Sequence, residues 1–177
     1  EPAYEVDRRL DEAGAIELRR YAAYTVAEVT VPGPTDEAGN AGFRILAGYI
    51  FGGNQGARRL EMTAPVTQAP QKLAMTAPVT QAASGEGFVV QFVLPRGVTP
   101  DNAPVPNDAR IRIREVPARR VAVVRFSGFW SEANYAEHRE KLAAAVRTAG
   151  LQPLGEPVLS RYDPPITPWF LRRNELW

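Results

Sequence analysis

The chemistry open to this chain is bounded by which reactive side chains it has and how they are spaced. It has one histidine, His138, no cysteine and four serines. Without cysteine there is no thiolate nucleophile, no iron-sulfur cluster and no sulfur-ligated zinc. None of the serines stands in Gly-x-Ser-x-Gly, and the chain lacks His-Glu-x-x-His, a Gly-x-Gly-x-x-Gly turn after a strand and a phosphate loop. Catalysis is left to a carboxylate such as Glu61 or Glu175, which would serve as a base only if an apolar pocket raised its pKa. Nothing in the pattern places either one there, so no catalytic residue and no metal ligand are assigned. His138, three residues after Tyr135 and close to Glu137 and Glu140, reads as a boundary residue of a helix.

Binding chemistry has more to work with. The octapeptide Met-Thr-Ala-Pro-Val-Thr-Gln-Ala occurs at 62–69 and again at 75–82. A period of two puts Met, Ala and Val on one face and Thr, Pro and Thr on the other, as suits a strand with one apolar side. Pro65 and Pro78 cannot donate a ladder hydrogen bond, so each copy should lie at a sheet edge, a bulge or a strand entrance. Met62 and Met75 would then flank an incompletely paired region, and methionine adapts well to an irregular apolar guest or core. Arginines recur in adjacent pairs, among them Arg19 and Arg20, Arg58 and Arg59, Arg119 and Arg120, Arg172 and Arg173. On a strand one member of a pair turns inward, and a pair beside a pocket offers planar forks for carboxylates.

The 177 residues suffice for one domain, 1–177, with its own core and no staples. A net charge of +1 provides no field for duplex nucleic acid. No stretch approaches the roughly 20 apolar residues that span a bilayer, so a soluble protein is expected. Opening on Glu1, the chain leaves two compartments open: the cytoplasm, or export after removal of an N-terminal segment. Oligomeric state is not specified, although Trp169 and Trp177 could serve a subunit contact.

Strands are expected over 4–10 and, after a turn at 11–14, over 15–31. A helix over 36–51 would put Phe43, Leu46, Ala47 and Ile50 on one face. Its Gly39, Gly42 and Gly48 each cost up to ~1 kcal/mol against alanine, so packing must hold it, with sheet backbone the expected close neighbour. The repeated segments follow, then a strand at 88–94 and a proline-rich connection around 96–108. Beyond it come strands at 109–116 and 119–126 and a helix at 132–149 capped by Ser131 and stopped by Gly150. Last come strands at 157–162 and 169–176. The halves 4–95 and 109–177 thus share the order strand, strand, helix, strand, strand. The expected class is α+β, a distorted β-barrel or strongly twisted antiparallel sheet flanked by two helices.

Ile16 to Tyr21, Gly42-Phe43 with Leu46 and Tyr49-Ile50, Gly52 to Asn54, Met62 to Val66, Phe92 to Pro95 and Arg172 to Glu175 together resemble the SOUL/haem-binding protein family, in order from Tyr4 to Trp177. The resemblance implies a duplicated strand-and-helix barrel and non-catalytic binding of haem or another tetrapyrrole in an apolar groove, as a carrier or buffer. Carried over by position, Phe43, Leu46, Tyr49, Ile50, Met62 and Met75 would line the groove, and Arg58 and Arg59 would meet the propionates. A macrocycle covering several hundred Å² of apolar surface gains roughly 10 kcal/mol before association costs. Some relatives have a histidine taken as an axial ligand where this chain has Arg20, and a guanidinium cannot ligate iron. The alternatives are a module for another flat hydrophobic molecule or lipid, or an enzyme acting on such a ligand. The fold so implied is similar to effector-binding modules of certain bacterial regulators, which take flat hydrophobic cations beside a buried acid.

Overall fold

A computed structural model describes residues 1–33, 35–72, 86–163 and 166–177. The second octapeptide copy, with Met75 and Pro78, lies outside the described residues. The chain forms two compact units, Glu1–Ala23 with Pro117–Trp177, and Tyr24–Val116. They partition the chain differently from the sequence halves, because the first two strands lie with the C-terminal segment.

The continuous strand expected over 15–31 is instead two. Strand β1 (Tyr4–Arg9) and β2 (Ile16–Tyr21) form a hairpin, and β3 (Tyr24–Pro32) begins only after the exposed pair Ala22 and Ala23. The run is strand-prone throughout, but β2 pairs with β1 and a later strand, whereas β3 takes its partners from the other unit. The hairpin turn is closed as the sequence predicts. Asp11 accepts from the backbone N–H of Ala15 and Ile16 at 3.2 and 2.8 Å, and Gly14 takes φ +70°.

In the unit Tyr24–Val116, helix α1 (Thr35–Ile50) is followed by β4 (Val66–Lys72), β5 (Glu86–Val93) and β6 (Arg112–Val116), in the sheet order β4-β5-β3-β6, all antiparallel. The buried stripe of α1 is Ala38, Gly42, Leu46, Tyr49 and Ile50, packed with Ala27, Val29, Val90 and Phe92 of the sheet. This differs in phase from the expected stripe: Phe43 sits on the flank of the helix at 40% exposure, its ring edge-on to Phe92 at 5.3 Å. Gly42 is the cause. A Cβ there would lie 2.5 Å from Val90 Cγ2, so the helix settles onto β5 along its glycine, with the sheet as close neighbour.

The first octapeptide copy becomes strand only at Val66, just beyond the cis Ala64-Pro65 bond, which leaves Pro65 at the strand entrance as expected. Val66 keeps its apolar side toward the core, but Met62 lies in irregular chain and is 44% exposed. The inward threonine, Thr67, is satisfied by Gln91, which donates to Glu28, which in turn accepts from Arg114. The proline-rich segment is tied to the end of α1: Tyr49 Oη donates to the Pro104 carbonyl at 2.8 Å, and Gln55 N to that of Val105.

In the other unit, β7 (Arg119–Phe126), helix α2 (Glu132–Thr148), β8 (Leu159–Arg161) and β9 (Asn174–Leu176) join the hairpin in the order β1-β2-β7-β9-β8. Ser131 Oγ accepts from Asn134 N at 3.3 Å, and Gly150 follows with φ +69°, so both helix ends are as read from sequence. Leu142 and Val146 bury against Ile16, Val124 and Leu176. The final strands are shorter than expected, a short 3-10 turn at Trp169–Leu171 standing where strand was anticipated. The α+β class holds: each unit is an antiparallel sheet carrying one helix among the described residues.

Candidate functional site

The sequence-selected residues within the unit Tyr24–Val116 divide into buried and exposed ones. Leu46, Tyr49 and Ile50 are essentially inaccessible, at 0%, 1% and 1% exposure, and point into the core. Phe43 and Met62 are exposed, as is Phe51 at 59%, a residue the sequence reading did not select. Arg58 and Arg59 are exposed as well.

The arginine loop is stiff because it is internally hydrogen-bonded. Asn54, 3% exposed, donates through Nδ2 to the carbonyls of Tyr49 and Arg58 at 2.9 and 2.7 Å, and its Oδ1 accepts from Arg58 N at 2.9 Å. Leu60 N donates to the Ile50 carbonyl at 2.8 Å, seating Leu60 on the core between exposed Arg59 and Glu61. Gly53 permits this closure, since a Cβ there would lie 2.6 Å from the Gly48 carbonyl oxygen. Burial raises the Tyr49 phenol above its ordinary pKa, and the charge of Arg58 partly offsets this. Asn54 escaped the sequence reading as a functional residue; its only signal was a polar side chain amid Gly52, Gly53 and Gly56.

Of the arginine pairs, Arg19 and Arg20 show the strand alternation most clearly. Arg20 is exposed and pairs with Asp7 at 2.8 Å. Arg19, 3% exposed, meets Glu175, which is fully buried, through Nη1 at 3.1 and 3.0 Å, and Glu17 through Nε at 2.8 Å. Glu175 also accepts from Arg173 Nε and Nη2, from Tyr162 Oη at 2.8 Å and from Trp177 Nε1 at 3.0 Å. Burial works against the charge on Arg19, but its hydrogen bond to Tyr21, the field of Glu175 and the bond to Glu17 leave it more firmly protonated than usual. Burial pushes the Tyr21 phenol above its ordinary range, against the pull of Arg19. Tyr162 is pushed up by burial and by the negative charge of Glu175.

Glu175 is therefore a coordinated counter-ion in a polar cluster and not a base in an apolar pocket; Glu61 is exposed. Trp177, expected at the surface, is 8% exposed and stacks on Tyr21 at 4.8 Å. His138 is half-buried, its ring over Phe126 at 4.2 Å and its Nδ1 2.8 Å from the Asn134 carbonyl, which fixes the proton on Nδ1. Among the described residues no three His, Asp or Glu side chains group as a metal site.

A family model described as SOUL heme-binding protein matches residues 1–177. The chain is 29% identical over 164 residues to Heme-binding protein 1 of Xenopus laevis, covering 92% of this chain and 82% of that protein. It is 28% identical over 144 residues to Heme-binding protein 1 of Sus scrofa, covering 81% and 72%. Among solved structures it is similar to the EcmrR C-terminal domain, with TM-score 0.59 at 14% identity, over 91% of this chain and 93% of that one. In the EcmrR-DNA complex the TM-score is 0.64 at 13% identity, over 91% of this chain, which spans about half (55%) of the EcmrR chain. A hydrolase from Listeria innocua gives 0.56 at 13% identity, over 91% and 89%. At such identities the structural likenesses concern the fold alone.

Proposed function

Because the chain belongs to the SOUL haem-binding protein family, we propose that it is a non-catalytic carrier or buffer of haem or a related tetrapyrrole. The observation that carries this reading is the exposure of Phe43, Phe51 and Met62 in the same unit as a hydrogen-bonded loop bearing Arg58 and Arg59. An apolar plate with carboxylates on its edge fits that chemistry: the rings take the macrocycle and the guanidinium forks take the propionates. Leu46, Tyr49 and Ile50 belong to the core of the same unit and would back the apolar surface; Met75, outside the described residues, would add a second thioether.

Iron is not the handle in this reading. Arg20 stands where some relatives have a ligating histidine, and its guanidinium is held by Asp7. The guest is retained by apolar contact and edge charge, so haem and iron-free protoporphyrin bind alike.

The test is a parallel titration with haem, protoporphyrin and protoporphyrin dimethyl ester, read by the Soret band and tryptophan quenching. Haem and protoporphyrin should bind equally. Met62→Glu should weaken both, and Arg58→Glu with Arg59→Glu should weaken the free acid but not the ester. An absent spectral change at micromolar haem, or affinity that follows the iron, overturns the proposal.

A further inference from the structure

The unit Glu1–Ala23 with Pro117–Trp177 displays a cluster of apolar side chains that the haem reading does not use. Phe129 is 59% exposed, Ile166 91%, Trp169 48%, Phe170 57% and Leu171 65%. They come from two loops that are joined, since Gly128 N donates to the Trp169 carbonyl at 2.9 Å. Phe129 and Trp169 stack at 5.1 Å, and Phe170 meets Trp169 edge-on at 5.5 Å.

These rings are held outward by polar contacts. Asn134 Nδ2 donates to the carbonyls of Ser127 and Phe129 at 3.1 and 3.0 Å, and Gly128, at φ +113°, has no room for a Cβ beside that amide. Arg172 Nε donates to the Thr167 carbonyl at 2.8 Å. The neighbouring Trp130 ring has the guanidinium groups of both Arg161 and Arg172 over it, at 4.6 and 4.5 Å. The segments 125–131 and 159–173 contain a single carboxylate, Asp163, and four arginines, of which Arg173 is paired with Glu175 and Glu1. Exposed tryptophan, phenylalanine and leucine ahead of a cationic collar is the composition that lies in the headgroup region of an anionic bilayer.

We propose that this tip is a peripheral membrane-docking surface, inserting Phe129, Trp169, Phe170 and Leu171 among the acyl boundaries of an anionic leaflet while the arginines other than Arg173 face the headgroup phosphates. It is a surface contact and not a span, as no described helix is long and apolar enough to cross. An aromatic tip binds through burial of its rings and the collar through screened charge, so both salt and ring removal must weaken the contact.

The test uses the full chain without haem. Sedimentation with phosphatidylcholine vesicles, with and without phosphatidylserine, gives the bound fraction, and tryptophan emission reports insertion. Binding should require phosphatidylserine, blue-shift the emission, weaken with salt and fall about tenfold or more in Trp169→Glu with Phe170→Glu. Leu154→Glu, at a fully exposed leucine outside both segments, should bind as the parent does. Circular dichroism confirms that each variant is folded. No binding by the parent, or equal binding by the double variant, overturns the proposal. So does self-association that the double variant abolishes without any vesicle binding, which would assign the surface to a second copy.

Discussion

Replacing Arg19 with methionine removes a buried cation of similar length from a fully buried carboxylate. Glu175 would keep Arg173, Tyr162 and Trp177, but lose both contacts from Arg19 Nη1, and Glu17 would lose its partner at 2.8 Å. Breaking a buried ion pair from one side costs about 3–5 kcal/mol, and the remaining guanidinium places this case at the lower end, about 3 kcal/mol. For a chain of this size that is roughly 6–12 °C in Tm. Glu175→Gln should also destabilise, because it removes the buried carboxylate shared by Arg19 and Arg173 and leaves them only Glu17 and Glu1. Combined with Arg19→Met it should cost less than the sum of the singles by about 1–3 kcal/mol, since the charges are removed together. Urea denaturation of the four proteins closes the cycle. Additivity within about 0.5 kcal/mol, or a loss below about 1 kcal/mol for Arg19→Met, would show that the cluster is not coupled as its geometry demands.

Burial raises the phenols of Tyr21, Tyr49, Tyr135 and Tyr162. Their folded pKa values lie above the unfolded ~10, so the associated stability is complete below pH ~10 and is lost as pH rises beyond it. Alkaline absorbance titration should show these rings ionising with the unfolding transition and not before it. The helix glycines should respond oppositely to alanine. Gly42→Ala drives a Cβ into Val90 and should cost about 1–2 kcal/mol, whereas Gly48→Ala, with open space around it, should gain about 0.5–1 kcal/mol in chemical denaturation. The Arg110 guanidinium, 2.6 Å away, holds the Asp108 carboxyl down to about 2. Carboxyl NMR should find that midpoint and see it return toward ~3.9 in Arg110→Ala. The sign is that of a depressed acid: the small stability of this exposed pair is present above pH ~3.9 and disappears as pH falls through about 2.

Local signals in the sequence carried far for the elements, less far for the site. The Ser131 cap, the Gly150 stop, the Asp11 turn and the close approach at a glycine of α1 all follow from residues near one another in the chain. The phase of α1 does not, because hydrophobicity alone favours Phe43 over Gly42 and only contact with Val90 reverses them. The break at Ala22 and Ala23 is equally hidden, since it comes from a change of strand partners. Alternation in the Arg19-Arg20 pair was readable, but the anion that meets Arg19 lies 156 residues away. Met62 was assigned an inward face on the premise that strand began with the motif, four residues before it does. Asn54, which fixes the arginine loop, announces itself only through bonds to backbone carbonyls that no pattern displays.

The ninety-odd residues Tyr24–Val116 are spliced into the other unit between its first hairpin and everything else that completes it. During synthesis the nascent hairpin leaves the ribosome with Arg19 beside Glu17 but without Glu175, the buried carboxylate that its Nη1 meets, which is translated 156 positions later. The inserted unit has all its strands long before that moment. It can mature first, so any ribosomal stall between Val116 and Asn174 leaves Arg19 without its buried carboxylate while the inserted unit is already complete.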